Sequence, residues 1–421
     1  MVNRPLHAVL LPQRAAGGRL LDALGAALDG SGPAILPLDP LLSRARLDKL
    51  IGALRPATLE TPQGTEPLAP AGPGGQAGPG VAEDVAVVLA TSGSTGRPKG
   101  AELTAAALLA SARASLDRLG AAGDPARAGR WLCCLPVHHI SGLGVLVRSL
   151  VTGQTPVVAD RLDPDVLAQA GCAYVSLVPT QLRRLLDAGA PLEGLRAILL
   201  GGAAIPDGMP AEAAAAGPAV VISYGMTETC GGCVYDGVPL DGVRVASDQD
   251  GRIEIAGPVL FARYRLDPGA TAAALREGWF VTSDLGGPGE DGRIVVRGRA
   301  DDVIVTGGEK VVAAEVERVL RGCPGVRDAV VVGAPDPQWG ERVTAVIVTD
   351  GLRAPSLAAL REHVGARLPR YAAPRALAVV DSLPMLASGK PDRQLLKQLA
   401  AEDFRHATAG RETNWPVTRY T

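Results

Sequence analysis

From Asp84 onward, short apolar runs rich in β-branched residues, such as VAVVLA, TPVVA, YVSLVP, RAILLGG and AVVISYG, alternate with Ala/Leu-rich stretches such as LTAAALLASARASL and PTQLRRLLDAG. Continuous apolar runs bounded by turn formers read as buried strands, and the stretches between them as helices. Parallel strands need long crossovers, so this alternation predicts an α/β domain with a largely parallel sheet.

After about Val243 the pattern shortens to GRIEIAGP, GWFVTSD and GRIVVRG, strands punctuated by Gly and Asp, which predicts a smaller β-rich subdomain over 243–297. A break follows at Arg297 to Asp302. The rest reads as a small α+β domain over 303–400, with helices AAEVERVLRG and SLAALREHVGARL among strands DAVVVGAP, RVTAVIV and ALAVVD. The large domain therefore covers 1–297. Within it, 55–83 contains PAGPGGQAGPG and lacks an apolar period, so a flexible connector is expected there. The polar stretch 401–421 is expected to be a loosely held tail.

A net charge of −2 offers no basic field for a phosphate backbone, so nucleic acid is not an expected partner. No run of about 18 apolar residues and no basic-apolar leader pattern is present, so neither a membrane span nor secretion is expected, and the cytosol is the default. A homo-oligomer is left open. The six cysteines are scattered, and only Cys230 and Cys233 form a C-x-x-C, without a second pair to complete a zinc site. Packing is the expected role. Arginine is the default cation here, the lysines being only Lys49, Lys99, Lys310, Lys390 and Lys397, and a compact ammonium at those places points to a local need.

Directly after the strand VAVVLA comes Thr91-Ser92-Gly93-Ser94-Thr95-Gly96-Arg97-Pro98-Lys99-Gly100, a loop crowded with hydroxyls and glycines that ends on a lysine. Glycines let backbone N–H groups face an anion, hydroxyls add donors, and Lys99 supplies a point charge for the outer phosphates. The spacing is not that of a P-loop.

This decapeptide resembles the signature of the adenylate-forming superfamily of acyl-CoA ligases, peptide-synthetase adenylation domains and luciferases. Four further signatures follow in the superfamily's order: Tyr224-Gly225-Met226-Thr227-Glu228-Thr229, Thr282-Ser283-Asp284, Gly298-Arg299-Ala300-Asp301-Asp302 and Ser388-Gly389-Lys390. The resemblance implies ATP, Mg²⁺ and coenzyme A as reactants. It implies a nucleotide site at Thr91 to Gly96 and Lys99, with Gly201, Gly202 and Ala203 as the wall beside adenine and Tyr224 stacked on it. Ser223 and Gly225 border that site, Thr227 contacts phosphate and Glu228 holds the metal. Asp284 and Arg299 bind the ribose. Lys390 bridges carboxylate and phosphate as charge develops during adenylation. The resemblance also implies that Asp301 is the hinge, within 298–302, about which a mobile small domain swings. The swing exchanges Lys390 for Gly307 and Gly308, which admit the pantetheine arm.

The acid is chosen in less regular segments. Leu135 to Leu143, with His138 and His139 before Ser141 and Gly142, resembles the superfamily's gating segment, His139 being the gate. No aspartate is available there to pair with an amino group, which disfavours amino acids. LPVHHISGLGVLVRSL, SLVPTQLRRLL, ILLGGAAI and YGMTETCGGCVYDG resemble most closely the 2-succinylbenzoate–CoA ligase family in its short actinobacterial form. Such an acid carries a second carboxylate that needs a polar partner. His139, Ser141, Thr180, Gln181 and Gly225 are the expected acid-site residues, with Arg183 and Arg184 ranked below them. Aryl- or medium-chain acyl-CoA ligation, and a catalytically idle nucleotide-binding protein, remain alternatives.

Overall fold

The computed structural model describes residues 3–68, 78–92, 98–121, 129–351, 354–385 and 391–408. It divides into two compact units. The first comprises Met1–Ala246, Glu254–Val281 and Gly289–Ile294; the second comprises Ser247–Ile253, Thr282–Pro288 and Val295–Thr421. The division thus passes through the strands Arg252–Ala256 and Trp279–Pro288.

The first unit holds two seven-stranded mixed sheets. In one, Leu6–Val9 pairs in parallel with Ala34–Pro37 and Thr58–Thr61, while Val85–Ser92 and Pro98–Thr104 run antiparallel. In the other, Trp131–Cys133, Tyr174–Leu177, Ala197–Gly201 and Ala219–Met226 are consecutive parallel neighbours, and Gly231–Tyr235 turns back antiparallel, with the short Val238–Pro239 at the edge. The interior strands are apolar at nearly every position because helices cover both faces, which is the α/β arrangement expected. Helices Ala105–Arg118 and Ile140–Thr152 fill the main core with Leu108, Leu116, Leu143 and Leu146 against Trp131 and Tyr174. Thr104 starts the first by accepting the Ala107 N–H at 3.1 Å; Gly153, in the left-handed region, ends the second.

Part of the stretch expected as a flexible connector is ordered. Thr58–Thr61 and Gly64–Pro67 form a hairpin, with Leu59 buried and Thr61 and Gly64 closing the turn. The parallel pairing of 58–60 onto 7–9 supplies the backbone partners that overcome a weak local pattern. Residues 69–77, most of the Pro/Gly-rich run, lie outside the described residues.

The second unit is α+β. Val326–Asp336 and Gly340–Thr349 form a long hairpin whose second strand also pairs with Ala376–Val379, and helices Ala313–Arg321 and Leu357–Gly365 bury Val316, Leu320, Leu360 and Val364 against it. Helix Arg393–Thr408 continues eight residues into the segment expected as tail. The helix is anchored ahead of that segment by Leu396 and Ala400, which bury against Val330 and Val346. Among the described residues no helix is long and apolar enough to cross a membrane.

Candidate functional site

In the first unit, the arms of the phosphate loop are the hairpin Val85–Ser92 and Pro98–Thr104, in which Thr91 is the ladder partner of Lys99. Gly93, Ser94, Thr95 and Gly96 lie outside the described residues, as does the side chain of Ser92. Lys99 extends over Tyr264, its Nζ 5.0 Å from the ring centroid. Tyr264 in turn donates from its hydroxyl to Glu228 Oε1 at 2.7 Å. Burial, and then the Glu228 charge, hold this phenol above its ordinary pKa, so it remains a donor. One tyrosine therefore joins the expected phosphate lysine to the expected metal carboxylate.

Tyr264 itself is held by a buried ion cluster. Glu102, 4% exposed and two strand positions from Gly100, pairs with Arg263 at 2.8 Å and with the buried Arg265 at 3.3 Å. Arg265 also donates to the Leu54 carbonyl at 2.5 Å. These contacts lock residues 263–264 onto the strand that carries Lys99, in the register Tyr264↔Ala101.

The Tyr224 to Thr229 signature leaves its strand through a short 3₁₀ turn, Thr227–Thr229. Buried Thr229 fixes the turn, its hydroxyl accepting the Met226 N–H at 2.9 Å and donating to the Gly231 carbonyl at 2.7 Å. The Phe261 N–H donates to the Glu228 carbonyl at 2.8 Å, so the backbone of the expected metal residue is also tied down. Among the described residues only Oε1 of Glu228 is engaged, which leaves a hard oxygen of the kind that suits Mg²⁺. Gly225 is required by close approach, since a Cβ there would lie 2.1 Å from the Gly231 carbonyl oxygen. Gly201 pairs with Ser223, which puts the expected adenine wall directly beside the Tyr224 strand. Gly202 follows with positive φ, and Gly202 and Ala203 are exposed. Cys230 and Cys233 are buried thiols pushed up in pKa by that burial, and no group of three or more metal-ligating side chains occurs among the described residues.

The acid-site expectations fare unevenly. His139 is exposed at the N-cap of helix Ile140–Thr152, and Ser141 is exposed in its first turn. The His138 ring lies 4.5 Å from that of His139 and its Nε2 3.9 Å from Asp39. Burial first, and then the His139 charge, push His138 down to about 4, so it is neutral at neutral pH. Thr180 is exposed at the start of helix Pro179–Asp187. Gln181 is already committed: its side-chain oxygen accepts the Val178 N–H at 3.2 Å and its amide donates to the Cys134 carbonyl at 3.4 Å. Arg183 is likewise spent in a fork to Glu212 at 2.7 and 2.8 Å and a third bond to Asp187.

Arg148 is absent from the sequence reading of this site. It projects from the helix that begins after His139, is 8% exposed, and forms no ion pair among the described residues. Its guanidinium donates to Ser176 Oγ at 3.1 Å and stacks 4.3 Å over Trp131. Arg148 Nε, Trp131 Nε1 and Ser149 Oγ are buried without hydrogen-bond partners. Nη1 lies 3.4 Å from where a Cβ on Gly144 would stand, and outside that helix's own backbone and the neighbouring residues no other described atom comes within 4 Å of that point. A buried cation amid unsatisfied polar atoms is the setting for an anionic ligand. The only sequence signal was an arginine inside an otherwise apolar helix, LGVLVRSLV.

In the second unit, Asp284 is nearly buried, its N–H donating to Thr282 Oγ1 at 3.0 Å. Arg299 donates to Asp284 Oδ1 and to Asp301 Oδ2, each at 3.2 Å. The two expected ribose residues and the expected hinge residue thus share one guanidinium. Gly307 and Gly308 both have positive φ and are exposed, and the Gly307 N–H donates to the Trp339 carbonyl at 2.8 Å. Lys390 lies outside the described residues.

A probable 2-succinylbenzoate–CoA ligase of Mycobacterium tuberculosis is 43% identical over 413 residues, covering 94% of this chain and 99% of its own. The Bacillus subtilis o-succinylbenzoate CoA synthetase, solved with its acyl-adenylate intermediate, superposes with a TM-score of 0.79 at 30% identity, covering 94% of this chain and 89% of that one. An amide bond synthetase from Marinactinospora thermotolerans superposes with a TM-score of 0.81 at 26% identity, covering 94% and 90%. Residues 30–300 match the AMP-binding enzyme family and residues 315–390 its C-terminal domain, so the chain belongs to the AMP-binding enzymes.

Proposed function

We propose that this chain is an AMP-forming acid–thiol ligase that joins 2-succinylbenzoate to coenzyme A, the acyl-activating step of menaquinone synthesis. Its relatives carry that activity in their names, and ligation by adenylation agrees with the paired arrangement of Lys99, Tyr264 and Glu228. The observation that carries the substrate is Arg148, a buried cation without an ion-pair partner among the described residues, on the helix that begins after His139. A dicarboxylate fits it: one carboxylate attacks the α-phosphorus, and the other meets the guanidinium. Fixing the far end of the acid holds the reacting carboxylate in line.

Glu228, with Thr227 beside it, would hold Mg²⁺ on the ATP phosphates, where the ion neutralises negative charge. Thr91, Lys99 and the loop 93–96 would hold the phosphates, and Ser223, Tyr224, Gly225 and Gly201 to Ala203 the adenine. Asp284 and Arg299 would take the ribose. Lys390 would add positive charge in the first half-reaction. Rotation at Asp301 would then bring Gly307 and Gly308 into play for thiol attack on the acyl carbon, with AMP leaving. His139 and Ser141, exposed at the start of the Arg148 helix, and Thr180 would border the acid.

Pyrophosphate release tests the reading, with ATP and Mg²⁺ across 2-succinylbenzoate, benzoate, succinate, octanoate and amino acids, followed by mass detection of the thioester. Release confined to 2-succinylbenzoate is expected. Equal or greater release with a monoacid would overturn the substrate, and silence across the panel would overturn the activity.

A further inference from the structure

The flanks of the segment that carries Lys390 are pinned together. The Asp392 N–H donates to the Pro384 carbonyl at 2.8 Å, and Met385 forms an antiparallel bridge with Pro391. Asp392 then starts the final helix by accepting the Leu395 N–H at 3.0 Å. The next residue, Arg393, reaches three acceptors with one guanidinium: Glu317 Oε1 at 2.6 Å, the Val331 carbonyl at 3.0 Å and Asp302 Oδ2 at 3.3 Å.

These partners differ in kind. Glu317 is 3% exposed, accepts the Val331 N–H at 2.9 Å and also pairs with Arg321 at 3.6 Å. A buried carboxylate held by two cations and a backbone donor is a rigid anchor, because displacing any partner exposes an uncompensated charge. Asp302 ends the stretch 298–302 and directly follows Asp301, and Arg393 is its only ion-pair partner among the described residues. The ion pair from Arg393 to Asp302 therefore ties the end of that stretch to the Glu317 anchor.

We propose that Arg393 is a positioning residue for adenylation. It fastens Asp302 and the base of the Lys390 segment to the same buried anchor, Glu317, so that pivot and lysine turn as one body. The inference rests on the reading above that Lys390 serves the first half-reaction and that rotation occurs at Asp301. Without the link, part of the rotation is absorbed at Asp302 itself and the lysine arrives over a spread of positions. A misplacement of about 1 Å is enough to cost about a hundredfold in rate.

The test uses the full chain and two assays: pyrophosphate release with the acid the enzyme accepts, and thioester formation from separately prepared acyl-adenylate and CoA. Lys390→Ala is run first and must lose pyrophosphate release while keeping thioester formation; if it does not, the underlying reading fails rather than this one. Given that split, Asp302→Ala lowers kcat for pyrophosphate release about tenfold and Arg393→Met about a hundredfold. KM for ATP and the thioester rate stay within about twofold, and Arg393→Lys recovers part of the loss. Should Arg393→Met fail to fold, Asp302→Ala decides, because it leaves the Arg393–Glu317 pair intact. Equal losses in both half-reactions, or an unchanged adenylation rate in a folded Asp302→Ala, overturn the proposal.

Discussion

Replacing Arg148 by Met separates binding from stability in a way that few buried substitutions do. Among the described residues the guanidinium has one hydrogen bond, to Ser176 at 3.1 Å, and the Trp131 face at 4.3 Å. A hydrogen bond from a charged donor contributes about 1.5–3 kcal/mol and a desolvated cation–π contact about 2 kcal/mol. Against them stands a desolvation penalty of several kcal/mol for a buried ion without a counter-charge. The terms nearly cancel, and Met fills most of the same volume, so Arg148→Met should melt within a few degrees of wild type. Catalysis should respond very differently. Truncating one partner of a buried charge pair costs about 2–5 kcal/mol, which at about 1.4 kcal/mol per tenfold is a fall of about 30-fold to a few thousand-fold in kcat/KM. The fall should appear with 2-succinylbenzoate and be absent with a monoacid such as benzoate. Pyrophosphate release measured side by side with thermal unfolding checks both halves. A parallel loss with the monoacid, or a stability loss above about 3 kcal/mol, would mean that Arg148 is structural glue and that the dicarboxylate argument is wrong.

Tyr264→Phe keeps the aromatic face under Lys99 but removes the hydroxyl that orients Glu228; a charge-assisted bond of about 1.5–3 kcal/mol is lost, and a Mg²⁺ titration of pyrophosphate release should show at least about a tenfold higher metal requirement. His138 titrates near 6.5 when unfolded and is held down to about 4 in the fold, so the unfolded chain binds the extra proton between those values. Stability should therefore fall as pH drops from about 6.5 to about 4, and urea midpoints across that window should show a shallower fall in His138→Phe than in wild type. Gly225→Ala would press a methyl group to 2.1 Å from the Gly231 carbonyl oxygen, a backbone atom that cannot rotate away. Urea denaturation should report a loss of about 1–3 kcal/mol, with a raised KM for ATP, because the strand beside Tyr224 has to shift.

Sequence alone settled the local layer of this protein. The strands at 85–92, 174–177, 197–201 and 219–226 and the helices at 105–118 and 179–187 were legible because uninterrupted apolar runs and helical periods are properties of neighbours along the chain. The same holds for the turn that ends the Tyr224 to Thr229 run, since it is made by consecutive residues. The hairpin at 58–67 was not legible, since its order comes from pairing with Leu6–Val9, some fifty residues earlier in the chain. Nor could the sequence assign partners to charged and amide side chains. Gln181 reads as a ligand until its two hydrogen bonds to Val178 and Cys134 are seen, and Arg183 until Glu212 is found opposite it. Tyr264 is tied to its site by a hydroxyl bond to a residue 36 positions away, and Arg148 is singled out because its buried guanidinium has no ion-pair partner among the described residues. Periodicity records which face of an element is buried. What a buried charge meets is fixed only when distant segments pack, and there desolvation turns a missing partner into a requirement for a ligand.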